Sequence, residues 1–193
     1  MLEVFGEHIT YIEISGTLFG IVGVWLTIKK NIFCFPSGII NVALYAYLFF
    51  ISKLYADAGL QVVNIGLLVY GWIQWRKIKN ESHDVTRTDN ATKILIAILG
   101  IGATFFIGTF LYSKTDASLP YLDALTTVIS LVAQWMIAKK KIENWILWIA
   151  ADMVYVGMYI YKSLYLTSGL YFVFILLALQ GYREWKKKLK PIP

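Results

Sequence analysis

TKILIAILGIGATFFIGTFLYS, residues 92–113, carries a single charge, Lys93, at its very edge. A helix rises about 1.5 Å per residue, so this stretch reaches across the roughly 30 Å of a bilayer's hydrocarbon. It decides the fold. The run is continuously apolar, whereas the strands of a membrane barrel alternate apolar with polar over about ten residues. The segment therefore reads as a transmembrane helix, and six others resemble it: about residues 10–28, 32–52, 56–75, 119–138, 142–161 and 165–183. The chain is thus expected to be an all-α integral membrane protein of seven transmembrane helices, forming a single membrane domain over 1–193.

Composition agrees. Of 193 residues, 58% are hydrophobic and only 16% charged, against a roughly even apolar share in soluble domains. RKIKNESHDVTRTDNATK, residues 76–93, is the longest polar stretch and is too short for a separate domain. MLEVFGEHITYIE has no basic leader and no small-residue cleavage site, so the first helix is expected to stay in the mature protein.

Basic residues collect in cytoplasmic loops. Alternate loops and the tail hold 15 of the 18: Lys29 and Lys30; Arg76, Lys77, Lys79, Arg87 and Lys93; Lys139–Lys141; and Arg183, Lys186, Lys187, Lys188 and Lys190. The other side has only Lys53, Lys114 and Lys162, with Glu3, Glu7 and Glu13 near the start. The expected topology is N-terminus outside, C-terminus in the cytoplasm. A net charge of +6 spread in this pattern serves insertion, so no nucleic-acid partner is expected. Cys34 stands alone, which excludes an internal disulfide, and His8 and His83 fit no metal motif and read as solvated loop residues.

Shifted by 110 residues, 11–77 aligns with 121–187 without a gap, and about 19 of the 67 pairs are identical. Tyr11 meets Tyr121, Trp25 meets Trp135, Gly71 meets Gly181 and Trp75 meets Trp185; Glu13 meets Asp123. Repeat one (11–77) and repeat two (121–187) each hold three helices, with a linker helix, 92–113, between them. The first and fifth helices are four apart, so the copies run in the same direction. Such a parallel 3+1+3 repeat is a transporter plan, with the substrate site near the midplane.

Within ENWILWIAADMVYVGMYIY, residues 143–161, an acid sits near the middle of a span. At about 100° per residue, Trp145, Trp148, Asp152, Tyr155 and Tyr159 share one narrow arc. A carboxylate at membrane depth marks a functional site or a paired structural one, and aromatic faces attract cations and stack on flat heterocycles. The same positions in repeat one are Phe35, Gly38, Val42, Tyr45 and Phe49, so the second repeat is expected to dominate the site. Further polar residues lie in the spans: Asn41, Gln61 and Asn64, Thr126, Thr127 and Gln134, Asn144, and Gln180. Each has interhelical hydrogen bonding as the plainer role. Trp72, Trp75 and Trp185 beside cytoplasmic lysines read as interface anchors, and Pro36 with Gly38 reads as a hinge. Glu13 and Asp123 would draw cations from outside.

VVNIGLLVYGWIQWRK, VAQWMIAKKKIENWILWIAAD and GLYFVFILLALQGYREWKKK, taken in order, resemble the PnuC family of vitamin transporters over nearly the entire chain. The resemblance implies a 3+1+3 fold like that of SWEET sugar transporters, a bacterial inner-membrane location and a homotrimer. It further implies facilitated diffusion of nicotinamide riboside, with trapping by a cytosolic vitamin kinase; relatives move thiamine or riboflavin. Carried over by motif, Trp145, Trp148, Asp152 and Gln61 would touch the vitamin. Tyr155, Tyr159, Asn64, Asn41, Asn144 and Thr127 complete the candidate substrate-binding set, with lipid around it.

Many members have Asn where this chain has Asp152, which bears on the choice of vitamin. Nicotinamide riboside and thiamine are both cations with a flat ring and suit an aromatic and acidic site. Riboflavin is neutral and would gain less. No Walker A motif, HExxH or other converging catalytic set, nor a lysine central in the last helix for a retinal Schiff base, occurs. No cofactor or catalytic role is expected. A non-transport seven-helix protein would leave the aromatic and acidic stripe idle.

Overall fold

The computed structural model describes residues 2–4, 7–9, 11–51, 55–77, 85–115 and 118–189. These form a short hairpin, β1 (Leu2–Val4) and β2 (Glu7–Ile9), then seven helices: α1 (Tyr11–Ile28), α2 (Cys34–Ile51), α3 (Tyr55–Lys77), α4 (Asn90–Lys114), α5 (Pro120–Ala138), α6 (Asn144–Tyr161) and α7 (Tyr165–Lys186). Each helix expected from the sequence is present, its ends shifted by three residues or fewer. By length and composition α1, α4 and α5 suffice to cross a membrane. α2 is as apolar as α1 over its 18 residues, whereas α3 and α7, at 23 and 22 residues, mix in more polar side chains.

The short hairpin precedes the all-helical membrane domain. His8 pairs with Glu3 in an antiparallel register and is not a loop residue; three-residue strands are too short to stand out in a sequence pattern. Lys53, Lys79, His83 and Lys190 lie outside the described residues.

Helix ends explain themselves locally. Asp89 accepts a bond from the Thr92 amide at 2.8 Å and so caps α4. Pro120 occupies the first turn of α5, where its missing N–H costs nothing. α1 closes with Lys30 in the left-handed region (φ 55°), its amide bonding the Thr27 carbonyl while the Asn31 amide bonds that of Leu26. After α5 the same closure recurs 110 residues on: Lys140 has φ 51°, with Lys140 bonding Ile137 and Lys141 bonding Met136.

The chain divides into two compact units, one built on α1–α3 and the other on α4–α7. In the first, α2 packs between α1 and α3. Asn41 Nδ2 donates to the Gly16 carbonyl at 2.7 Å, Ser37 Oγ to that of Phe19 at 2.8 Å, and the Thr17 and Tyr45 hydroxyls meet at 3.2 Å. Pro36 falls in the first turn of an unbroken α2, and a Cβ at Gly38 would come within 3.0 Å of Leu68 on α3. Gly38 thus admits the close approach of α3, and no break interrupts α2 at Pro36. In the second unit α4 packs on α5, α5 on α6 and α6 on α7. The outward face of α4 shows Ile94, Leu95, Ile98, Phe105 and Phe106, apolar as hydrocarbon requires.

Trp75 and Trp185 are fully buried, so they are not the interface anchors that their lysine neighbours suggest. Trp75 stands edge-on to Phe35 at 5.0 Å, and Trp185 edge-on to Trp145 at 5.4 Å, both at 90°. Trp72 is only half-buried, with the Arg76 guanidinium 5.2 Å over its ring.

Candidate functional site

The candidate site is a seam between two helical stripes. On α6 the residues Trp145, Trp148, Asp152, Tyr155 and Tyr159 follow one another at alternating steps of three and four, the spacing that keeps side chains on one face. Tyr171, Phe174, Ala178, Gly181 and Trp185 do the same on α7. Because α7 returns antiparallel, the late positions of one stripe meet the early positions of the other.

At one end, Trp145 lies against Trp185 and Gly181, and only 2% of its surface is exposed. A Cβ at Gly181 would fall 2.6 Å from the Trp145 ring, so glycine is what lets α7 approach. The ring is occupied by protein. Trp145 thus packs α6 on α7, and in this arrangement little of its ring is open to a guest. Asn144 beside it is wholly buried and donates from Nδ2 to the Lys141 carbonyl at 2.6 Å, fixing the α5–α6 turn.

At the other end three tyrosines gather. Tyr155 and Tyr171 have ring centroids 4.6 Å apart, Tyr159 stacks on Tyr171 at 5.3 Å, and Tyr155 and Tyr159 lie 6.2 Å apart. Phe174 meets Tyr171 at 6.0 Å. On α5, Thr126 Oγ1 donates to the Leu122 carbonyl at 3.0 Å. Ser168 Oγ donates to the Val156 carbonyl at 3.3 Å, pinning α7 to α6.

Asp152 lies between these ends, only 4% exposed. Among the described residues no hydrogen bond or ion pair engages its carboxylate, and no cation stands beside it. Trp148, one turn earlier, is half-buried. An acid flanked by rings and left without a cation partner is suited to a cationic guest.

Thr127 is half-buried on α5, next to the buried Thr126. The remaining candidates lie in the first unit. Gln61 and Asn64 are half-buried on α3 and bond to each other, Asn64 Nδ2 to Gln61 Oε1 at 3.3 Å. Asn41 is engaged with Gly16, the plainer interhelical role. An apolar groove of about 330 Å³ between α4 and α5, lined by Ile96, Gly100, Thr104, Val128 and Val132, has no charged residue. It lacks the chemistry of the α6–α7 seam.

Tyr171 and Phe174 were not among the sequence candidates. Their three-and-four spacing with Gly181 and Trp185 was a readable signal. The seventh helix has no acid in its middle turns that would mark this face as a site.

The sequence and the fold are both similar to known proteins. The nicotinamide riboside transporter PnuC of Escherichia coli (strain K12) is 28% identical over 93% of this chain and 87% of its own length. That of Neisseria mucosa is 28% identical over 89% and 70%, and the riboflavin/roseoflavin transporter RibM of Streptomyces davaonensis 25% over 94% and 87%. A crystal structure of the vitamin B3 transporter PnuC superposes with a TM-score of 0.74 at 24% identity, covering 93% of this chain and 82% of that one. That likeness establishes a shared fold. The sequence matches the family described as nicotinamide mononucleotide transporter over residues 10–187, and the chain belongs to that family of membrane transporters.

Proposed function

We propose that this protein carries nicotinamide riboside across a bacterial inner membrane by facilitated diffusion. The observation that carries the reading is Asp152, a buried acid with no cation beside it among the described residues, flanked by Trp148 and the tyrosines of α6 and α7. Nicotinamide riboside presents a flat pyridinium, which gains both from stacking and from the carboxylate. Relatives named for the same vitamin support the choice.

The nucleoside is favoured over its phosphate ester, because the central turns of the seven helices contain no Arg or Lys to pair a phosphate. Thiamine, another flat cation, is the alternative. Riboflavin, in the name of one relative, is neutral and leaves the acid without a counter-charge.

The vitamin would enter down its gradient and be trapped by a cytosolic kinase, with the protein acting as a homotrimer in the membrane lipid. The charge pattern supports an outside N-terminus and a cytoplasmic C-terminus. A parallel 3+1+3 repeat is supported by the paired closures at Lys30 and Lys140 and by the paired contacts Phe35–Trp75 and Trp145–Trp185. Uptake of labelled nicotinamide riboside, thiamine and riboflavin by proteoliposomes tests the reading. Saturable uptake of the first, competed weakly by the others, is expected; preference for riboflavin would overturn it.

A further inference from the structure

Outside the seam, the densest polar structure in the second unit is a strap, residues 85–89, running into α4. The Thr86 amide donates to the Lys140 carbonyl at 3.1 Å and the Ile142 amide to the Thr86 carbonyl at 3.0 Å, so the strap pairs with the α5–α6 turn in a parallel bridge. Val85 bridges in the same way to Leu189, just past α7, and is fully buried. Lys141 Nζ donates to the Arg87 carbonyl at 3.1 Å. Three elements are thereby tied at one point: the start of α4, the turn into α6 and the end of α7.

Glu143 is the centre of this knot. It stands at the N-cap position of α6, and its side chain makes no capping bond there. Its carboxylate instead accepts from the Thr88 amide at 3.0 and 3.1 Å and from Thr88 Oγ1 at 3.0 Å, and it pairs with Lys93 Nζ at 3.3 Å. Bonds to a charged acceptor are the stronger kind, and Thr88 is only 3% exposed, so water competes poorly for them. A junction so fully bonded is ill suited to opening and closing on each cycle, because releasing it would strand several buried donors.

We propose that residues 85–89, the α5–α6 turn and Leu189 form a clasp that stays closed through the transport cycle. Glu143 is its positioning residue: it sets where α6 begins and hence where Trp148 and Asp152 stand. The inference rests on the transport reading above. It assigns the moving parts of that cycle elsewhere.

The test places cysteines at Thr86 and Lys141, in a Cys34→Ala background, and reconstitutes the full chain. A disulfide should form under mild oxidation, and oxidised protein should take up labelled nicotinamide riboside within about twofold of the reduced protein. Uptake lost on oxidation and regained on reduction would make the strap a gate and overturn the proposal. So would failure of the bridge to form. In parallel, Glu143→Ala should raise the half-saturating vitamin concentration at least about fivefold, the low end of coupling between linked sites. Glu143→Gln, which keeps an acceptor for the Thr88 amide, should do so by less than about twofold, because most of the positioning bonds remain. Equal losses in both variants, or none in either, would remove Glu143 from the role. If the wild type takes up no nicotinamide riboside, the transport reading fails by itself. Amide hydrogen exchange at Thr86, Thr88 and Ile142 then judges the clasp, which requires faster exchange in Glu143→Ala than in wild type and is overturned if the rates match.

Discussion

Trp145 meets Trp185 edge to face at 5.4 Å, and this contact divides the aromatic residues of α6 into one that packs and others that face the seam. Trp145→Ala should therefore act on stability, at about 3–5 kcal/mol for a large buried side chain. Trp148→Ala should leave folding nearly intact and weaken vitamin binding by about 1–3 kcal/mol, the worth of one ring stacked on another. Thermal unfolding in detergent beside calorimetric binding separates the two. A Trp145→Ala protein with wild-type stability and lost affinity would return that ring to the site.

Gly181 is the counterpart of that contact on α7. Gly181→Ala puts a methyl 2.6 Å from the Trp145 ring, and overpacking of this kind costs about 1–3 kcal/mol. Unfolding temperature should drop. Combined with Trp145→Ala, which empties the space, the same glycine change should cost clearly less, a coupling that a double-mutant cycle measures.

Tyr171 stacks on Tyr159 and lies 4.6 Å from Tyr155. Tyr171→Phe keeps the rings in contact and should preserve vitamin affinity within about threefold. Tyr171→Leu should weaken it by about 0.5–1.5 kcal/mol, the value of an aromatic pair beyond its area. Equal affinity for all three proteins would place the ligand away from the tyrosines.

The helices were legible because hydrocarbon leaves the backbone no partner but itself, so each span declares itself as an unbroken apolar run. The acid at 152 was legible for the same reason: a charge stands out against such a run. The division of labour among the aromatics was not. Trp145 and Trp148 are three apart on one face, and only the glycine at 181, thirty-odd residues on, determines which ring is covered by α7. Nothing in the sequence singles out Glu143, because its partner Thr88 is 55 positions away and belongs to a strap with no sequence periodicity.

Asp89 supplies a pH dependence outside the membrane. The Thr92 amide donating to its carboxylate holds that carboxyl below its ordinary value of 3.8. A depressed folded value means that the cap's contribution is present above about pH 4 and is lost as pH falls through the lower folded value. The melting temperature of wild type should therefore decline on acidification more than that of Asp89→Asn, whose amide oxygen caps without titrating. Parallel decline of the two proteins would show that the cap carries no such linkage.

Asp152→Asn separates the two roles open to a buried acid. The change keeps shape and hydrogen-bonding capacity and removes the charge. Asp152 engages no cation among the described residues, so a guest's positive ring is the natural counter-charge, and the tyrosines around it exclude the water that would otherwise screen it. The substitution should then weaken nicotinamide riboside by roughly 1–2 kcal/mol, the margin of a charge-assisted over a neutral interaction. A neutral analogue of the same shape, the reduced dihydropyridine riboside, should lose less or gain, because burying an unpaired carboxylate beside a neutral ring is unfavourable. Calorimetric titration of both ligands into both proteins gives the comparison, with thermal unfolding as control. If both ligands weaken equally and the melting temperature falls with them, Asp152 holds helices together, and selection for charge must come from elsewhere, with Glu13 and Asp123 the next acids to change.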